Sequence, residues 1–182
     1  NTLSGGEMQW MYECGLEKRD ILPFIYPSAE EFEKNNIQIV YLGWFLGDWS
    51  EVNNAMYSVS SGLEIREDKV ENTGDLYGVT ALDEEWVTLN QMIKFYKFGF
   101  GRISDYVNED IRNGRLTREE GIILIEKYDD SCSEENISSF CEYIDISVEK
   151  FWEQIYLSMN KDLFELDKNN RIMKKFKVGH DS

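Results

Sequence analysis

Helix-capping signals recur through the second half of this chain, and they constrain its fold more than any other feature. Thr117 is followed three residues later by Glu120, the pairing that forms a capping box at the start of a helix. Apolar residues then recur at helical spacing within each capped segment. Gly114 is suited to end one of these helices. The predicted helices begin at Asp83, Ser104, Thr117, Ser133 and Ser147.

The first 82 residues have a different texture, in which apolar β-type segments alternate with glycine-containing turns. Residues 37–42 are rich in β-branched and aromatic side chains and are predicted to form a strand. Residues 28–34 predict a short helix that opens with a capping box. The polar stretch 66–77 is interpreted as an exposed loop. The predicted fold is an α/β remnant over 1–82, followed by a compact helical domain over 83–182.

The charge of the chain excludes some classes of partner. Its 35 acidic and 19 basic residues leave a formal net charge of −16 at pH 7. Such a field repels nucleic acid and anionic membranes, so neither is an expected partner. No apolar run approaches the roughly 20 residues of a membrane span, and we expect a cytoplasmic location. The three cysteines lack CxxC spacing and are interpreted as reduced structural thiols, and no metal site is predicted.

The segment from Lys94 to Arg102 is the densest unusual stretch of the sequence. Lys94, Lys97 and Arg102 gather positive charge in an otherwise acidic chain, a pattern that suits phosphate groups. Gly99 and Gly101 free the backbone just after a predicted helix and would let amides approach a ligand closely. The same pattern is typical of an ordinary helix terminus, and the phenylalanines between these residues suit a core. Both interpretations stay open.

Other candidate groups carry weaker signals. Ser4-Gly5-Gly6 invites comparison with a phosphate-binding loop of the form SGGxDS, but the Asp and the second Ser are missing. Glu7 follows in this Gly-rich stretch, where it would line a cleft or serve the fold. His180 is the only histidine, so a histidine triad is not indicated. Asp129-Asp130 is interpreted as solvated helix-end charge. Since the chain starts at Asn1 without a complete phosphate loop, we expect it to be part of a longer protein.

A series of short motifs runs along the helical half. They are KFGFGR at 97–102, IRNGRLTREEG at 111–121, KYD at 127–129, FCEY at 140–143 and FWE at 151–153. In this order they resemble the N-acetyl sugar amidotransferase family, which includes enzymes of pseudaminic acid and O-antigen sugar pathways. Tyr26-Pro27, Asn36-Ile37 and Tyr41-Leu42-Gly43 also stand in the order that the family shows.

The resemblance implies an ATP-dependent, ligase-type enzyme. Its fold would be that of a PP-loop ATP pyrophosphatase, with the SGGxDS loop upstream of this segment, which alone is expected to be inactive. The family reaction converts the acetamido group of a sugar, free or nucleotide-linked, into an acetamidino group. It uses ATP with Mg²⁺ and ammonia from a separate glutaminase subunit, in lipopolysaccharide or flagellin glycan biosynthesis.

The resemblance also carries binding roles onto individual residues. Lys97, Gly99, Gly101 and Arg102 match the later motif and would contact pyrophosphate or the sugar nucleotide, with Lys94 beside them. Glu7 matches part of a Gly-Glu-Asn motif on a loop that faces the active site, although Met8 replaces the Asn. Asn90-Gln91 stands where many relatives are expected to have a histidine.

Two alternatives belong to different functional classes. One is a non-catalytic helical interaction domain that docks a glutaminase partner. The other is a degenerate family member that binds a sugar nucleotide without turnover. ATP consumption separates the enzyme from both, and ligand binding without ATP consumption identifies the second.

Overall fold

The computed structural model describes residues 9–25 and 27–180. The chain divides into two compact units, Asn1–Gly47 and Asp48–Ser182, and each is described by itself. The domains predicted from sequence texture, 1–82 and 83–182, stay a prediction, because a compact unit need not coincide with a domain.

The first unit contains short helices. They are α1 (Gln9–Glu13), α2 (Lys18–Ile21), a 3-10 helix at Leu22–Phe24, α3 (Ala29–Lys34) and a 3-10 helix at Leu42–Phe45. The capping box predicted for α3 is confirmed. The Ser28 hydroxyl accepts a hydrogen bond from the Glu31 amide, and the Glu31 carboxylate accepts one from the Ser28 amide at 2.8 Å.

The strand predicted at 37–42 is wrong. Residues 37–41 have no regular structure, and Leu42 begins a 3-10 helix. A β-prone composition produces a strand only where the backbone groups find a neighbouring strand to pair with. Within residues 9–25 and 27–180, the strands form a single two-stranded sheet far along the chain. The apolar side chains of this segment, such as Val40 and Leu42, are consequently exposed.

The second unit contains the residues 83–182 predicted to be helical, and their mostly helical character is confirmed. Its elements are α4 (Glu51–Ser60), α5 (Val70–Thr73), α6 (Val87–Phe98), α7 (Arg102–Arg112), α8 (Arg118–Tyr128), α9 (Glu134–Tyr143), α10 (Val148–Ser158), β1 (Phe164–Leu166) and β2 (Ile172–Lys174). The two strands pair antiparallel, with Glu165 opposite Met173. No helix in the described part of the chain has the length and apolar character needed to cross a membrane.

Most of the capping predictions hold in this unit. Thr117 and Glu120 form the predicted box, and the hydroxyls of Ser133 and Ser147 accept from backbone amides at the starts of α9 and α10. The cap predicted at Asp83 is wrong, because α6 begins only after Trp86. Ser104 does not begin a helix either, and it lies inside α7.

The core lies between three helices and the hairpin. Buried residues of α6, α9 and α10 form one cluster, which consists of Leu89, Met92, Ile137, Cys141, Phe151 and Ile155. A second cluster joins α6 to the strands through Phe95, Met159 and Phe164. Phe95 therefore belongs to the core, as one of the two interpretations expected, whereas Phe98 and Phe100 are exposed.

The motif at 111–121 spans the turn between α7 and α8. Gly114 follows the end of α7 with a φ of +69°, the left-handed conformation expected of a residue that ends a helix. Beyond it, the Arg115 Nε donates to the buried Asp110 carboxylate at 2.6 Å. A Cβ on Gly121 would lie 2.6 Å from Val107, so only glycine lets α8 pack this closely on α7. Much of the family-like motif thus serves the helical hairpin.

Candidate functional site

Asp129 fixes the start of α7 from another element of the fold. Its carboxylate accepts hydrogen bonds from the amides of Gly101 and Ser104, each at 2.9 Å, and from the Ser104 hydroxyl at 2.6 Å. The side chain is buried, so its interpretation as solvated helix-end charge is wrong. A Cβ on Gly101 would lie 2.2 Å from the Asp129 carbonyl oxygen. The backbone at Gly101 thus approaches Asp129 closely, and the approach to a ligand expected at this glycine stays a prediction.

A second carboxylate, Asp75, organises the loop between α5 and α6. It accepts hydrogen bonds from the amides of Tyr77, Gly78 and Thr80 at 2.9–3.1 Å and from the Tyr106 hydroxyl at 2.8 Å. The prediction of an exposed loop over 66–77 is wrong at this point, because the stretch contains α5 and Asp75 is buried. An isolated polar stretch gives no sign that its acid will be buried by contacts from α7.

Arg102 extends this network from the first turn of α7. Its guanidinium donates to the Glu51 carboxylate at 3.1 Å and to the Thr80 hydroxyl at 2.8 Å, and it lies over the Tyr106 ring. The Thr80 hydroxyl also bonds to the Tyr106 hydroxyl and to Glu51. Burial raises the pKa of the Tyr106 phenol, so Tyr106 keeps its proton and donates at neutral pH. The network thus links α4, the loop and α7.

A small pocket opens beside this network. We call it the arginine pocket, and its lining is Arg66, Thr73, Asp75, Thr80, Val87, Thr88, Gln91 and Arg102. Its volume is about 10 Å³, roughly what a single water molecule requires. Three of the lining residues each have one buried side-chain atom without a hydrogen-bond partner within the described residues: Arg66 Nε, Gln91 Oε1 and Arg102 Nε. They are all such atoms in that part of the chain.

The concentration of these three atoms in one place is unusual. A buried polar atom without a hydrogen bond costs roughly 1–3 kcal/mol, and native structures contain few of them. Two are N–H donors, and the third is an amide oxygen that accepts. Arg66, Gln91 and Arg102, which line one pocket, thus hold all three of these atoms in the described part of the chain.

A larger polar cavity adjoins the arginine pocket and shares Arg66 and Thr73 with it. We call it the outer cavity, and its volume is about 220 Å³. Its lining is Arg66, Asp68, Asn72, Thr73, Glu85, Ser133, Glu135, Asn136 and Ser139. Of these, Asn136 donates to the Thr88 hydroxyl at 3.1 Å, a further link between the two cavities because Thr88 lines the arginine pocket.

The predicted binding residues do not converge on one point. Arg102 lines the arginine pocket, while Lys94 bonds to Asp105 at 2.8 Å and lies over the Phe100 ring. Lys97 is exposed on α6. Gly99 ends α6 with a φ of +82°, the conformation of a helix C-cap glycine. Glu7 lies outside the described residues, and the binding roles of all these residues stay predictions.

Several groups of the site were not singled out by sequence reasoning. Arg66, Asp75, Thr80 and Tyr106 lie in stretches without a recognisable motif, and tertiary contacts alone bring them together. Gln91 had a signal in the sequence, because it belongs to the pair Asn90-Gln91, where many relatives are expected to have a histidine.

The metal and thiol predictions concern the rest of the molecule. Among residues 9–25 and 27–180, no cluster of three or more His, Cys, Asp or Glu side chains is arranged to hold a metal ion. Burial raises the pKa of the Cys132 and Cys141 thiols. Both therefore favour the protonated thiol at neutral pH. Cys14 is exposed, and the interpretation of all three cysteines as structural thiols stays a prediction.

Comparison with protein families gives one match. Residues 71–177, more than half of the chain, match the family described as LPS biosynthesis protein WbpG-like, C-terminal domain. The match begins within α5 and extends past β2, and it includes every residue that lines the arginine pocket except Arg66. It confirms the predicted place of the chain in the C-terminal part of a surface-sugar biosynthesis family. No curated protein matches the sequence significantly.

Proposed function

Because this chain belongs to the WbpG-like C-terminal domain family of LPS biosynthesis proteins, we propose that it is part of an ATP-dependent N-acetyl sugar amidotransferase. The observation that carries the proposal is the arginine pocket, where Arg102 of the KFGFGR motif meets two other buried side chains with unused hydrogen-bonding atoms. Buried polar atoms without partners are rare in native structures and call for a partner, such as a water, an ion or a ligand. The reaction would take place in the cytoplasm.

The proposed reaction has two steps, adenylation of the sugar amide and displacement of AMP by ammonia. The amide oxygen of the sugar acetamido group attacks the α-phosphorus of ATP, which is bound with Mg²⁺, and pyrophosphate leaves. An amide is a poor electrophile, and adenylation turns its oxygen into a good leaving group. Ammonia from a glutaminase partner then adds to the imidate carbon, and AMP departs to leave the acetamidino group.

Within this chain, the proposed task is to bind and orient the sugar. Hydrogen bonds to Glu51 and Thr80 hold the Arg102 guanidinium in place, at the wall of the arginine pocket. Fixed donors of this kind lower the entropic cost of bringing reactants together. We further propose that the phosphate loop and the rest of a PP-loop α/β domain belong to the longer protein.

The test compares two arginines of the same helix in the longer enzyme that we propose. Arg102→Lys keeps the charge but removes the Nε–H of the guanidinium, while Arg112→Ala removes an exposed charge at the far end of α7. A lost hydrogen bond to a charged group is worth about 1.5–3 kcal/mol, so Arg102→Lys should lower kcat/KM for sugar- and ammonia-dependent AMP release roughly 10- to 150-fold. Arg112→Ala should leave it unchanged.

Thermal unfolding of both variants separates a loss of function from a loss of fold. A folded Arg102→Lys variant that releases AMP at the normal rate would refute the site. Absence of sugar-dependent AMP release by the unmodified enzyme would refute the function itself.

A second candidate function rests on a different observation. An apolar groove of about 380 Å³ runs beside α4 and is lined by Val52, Ala55, Met56, Val59, Ser60, Ile65, Tyr77 and Val79. An exposed apolar groove of this kind favours a non-catalytic domain that docks another protein, here a glutaminase. ATP consumption by the longer protein would exclude this as the sole function.

A further inference from the structure

We infer that an aromatic surface beside the outer cavity docks a partner protein, and that an arginine side chain of this partner enters the cavity. The surface consists of Trp86, Phe140 and Tyr143, and we call it the aromatic face. The inference goes beyond the proposed function, because the amidation reaction does not require these residues to meet another protein.

The aromatic face is a stack of rings that runs from the core to the surface. Phe140 packs against the buried cluster of α6, α9 and α10, and the Trp86 ring lies edge-on to it with 5.6 Å between the ring centroids. The centroid of the Tyr143 ring lies 4.7 Å from that of Trp86, yet 73% of Tyr143 is exposed. Exposed Tyr and Trp rings held in this way are typical anchors of protein interfaces, because ordering them costs little entropy.

The surroundings of the aromatic face carry negative charge. Residues 70–93 and 128–149, which contain the three rings, include no lysine or arginine. The acids that adjoin the rings in sequence or line the outer cavity beside them are Glu84, Glu85, Glu135 and Glu142. None of these four forms an ion pair within residues 9–25 and 27–180. Carboxylates without counterions repel nucleic acid and anionic membranes and attract cations, so the partner that fits is a protein with basic residues.

The outer cavity lies directly beside the aromatic face. Glu85 and Ser139, which line the cavity, precede Trp86 and Phe140 in the chain. The cavity has room for one long side chain, since its volume of about 220 Å³ equals roughly seven water molecules at about 30 Å³ each. Its carboxylates come from Asp68, Glu85 and Glu135. A side chain that enters from the aromatic face therefore meets a negatively charged wall.

The cation in the lining of the outer cavity, Arg66, does not pair with these carboxylates. Its guanidinium donates from Nη2 to the backbone carbonyls of Ala81 and Glu84, and it forms no ion pair in the described part of the chain. The carboxylates of the cavity are therefore available to a cation from outside.

A guanidinium suits the outer cavity better than a metal ion does. Among the described residues, no three carboxylates are arranged to hold a metal ion. The five N–H donors of a guanidinium reach carboxylate, amide and hydroxyl oxygens that are spread around a wall. Its flat face also stacks on aromatic rings. Arginine is thus the side chain that matches both the cavity and the aromatic face.

Binding of a short arginine peptide tests the inference. The probe is Gly-Arg-Gly-Arg-Gly, acetylated and amidated, and it is titrated into the 182-residue chain without ATP or sugar. Two-dimensional NMR follows the indole N–H of Trp86 and gives the Kd. We expect the peptide to bind and to shift this signal. The same peptide with citrulline in place of arginine, which lacks the charge, should not bind.

Two pairs of variants separate the aromatic face from general attraction to an acidic chain. Tyr143→Ala removes the outer ring of the face, and Tyr57→Ala removes a ring of α4 that is 77% exposed. Glu85→Gln removes a carboxylate of the cavity, and Glu119→Gln removes an exposed one from the first turn of α8. Tyr143→Ala and Glu85→Gln should each weaken binding roughly two- to fivefold, and the two controls should leave the Kd unchanged. All four positions are exposed, so the variants should keep the fold, which thermal unfolding checks.

Several outcomes would overturn the inference. Equal weakening by a variant and its control would mean that binding follows only the net charge of the chain. Absence of binding would count against the aromatic face, as would an equal Kd for the citrulline peptide. If the unmodified chain forms a dimer that Tyr143→Ala dissociates, as sedimentation would show, a second copy covers the face in place of the basic partner. AMP release is measured separately, so the proposed function stands or falls independently of these results.

Discussion

Replacement of Gly101 by alanine tests whether this glycine serves the fold or a ligand. The residue has a φ of −117°, outside the left-handed region, so its conformation alone does not require glycine. Its constraint is space, because a Cβ would lie 2.2 Å from the Asp129 carbonyl oxygen and 3.0 Å from a carboxylate oxygen of the same residue. The first of these atoms belongs to the backbone, so α7 or the end of α8 must shift.

The expected loss of stability follows from what that shift disturbs. Overpacking in a tight site costs roughly 1–3 kcal/mol. Displacement of Asp129 also weakens the cap of α7, and the loss of a helix cap costs about 0.5–2 kcal/mol. We therefore expect Gly101→Ala to lower the free energy of unfolding by roughly 2–4 kcal/mol. For a chain of this size that corresponds to a fall in Tm of about 5–15 °C.

Gly114→Ala is the matched control, measured by thermal and urea unfolding. Gly114 has a φ of +69° but no atom within 4 Å of a Cβ, so its substitution costs only the left-handed conformation, about 1 kcal/mol. Gly101→Ala should be clearly the more destabilising of the two. If its unfolding matches that of the unmodified chain, the reasoning is wrong, and Gly101 is free to serve the ligand approach that its motif suggests.

Two further predictions concern buried polar groups. Asp129→Asn should lower the free energy of unfolding by about 2–3 kcal/mol in urea titrations, because an amide has one acceptor oxygen for three donors; an unchanged unfolding midpoint would refute the capping role. Burial raises the pKa of the Tyr77 and Tyr106 phenols, whereas the pKa of a tyrosine in the unfolded chain is about 10. The unfolded chain therefore loses these protons first, and stability should fall as the pH rises above about 10. Phenolate absorbance and circular dichroism, followed together, check this, and phenolate formation by both tyrosines in a chain that keeps its fold would contradict it.

Local sequence signals determined three helix starts and one helix end in the second unit. The caps at Thr117, Ser133 and Ser147 and the C-terminal glycine Gly114 act within one turn of their own helix. Such interactions are specified by residues three or four positions apart, and the sequence therefore contains them in full. The motif order determined the family in the same way, because it depends on residue identity and spacing alone.

Only the tertiary structure decided the features that depend on contacts between residues distant in sequence. The segment 37–42 has the composition of a strand, but a strand forms only when another one offers its backbone groups. Ser104 has the side chain of a cap, yet α7 starts earlier because Asp129 reaches its amides from the end of α8.

The candidate site is also one of the features that only the tertiary structure decided. Arg66, Gln91 and Arg102 are distant in sequence, and they line one pocket only because α6, α7 and the Asp75 loop pack together. Sequence reasoning found Arg102 through its charge and its motif, but the unused atoms beside it depend on burial. Burial is a property of the packed molecule, and no local pattern of residues contains it.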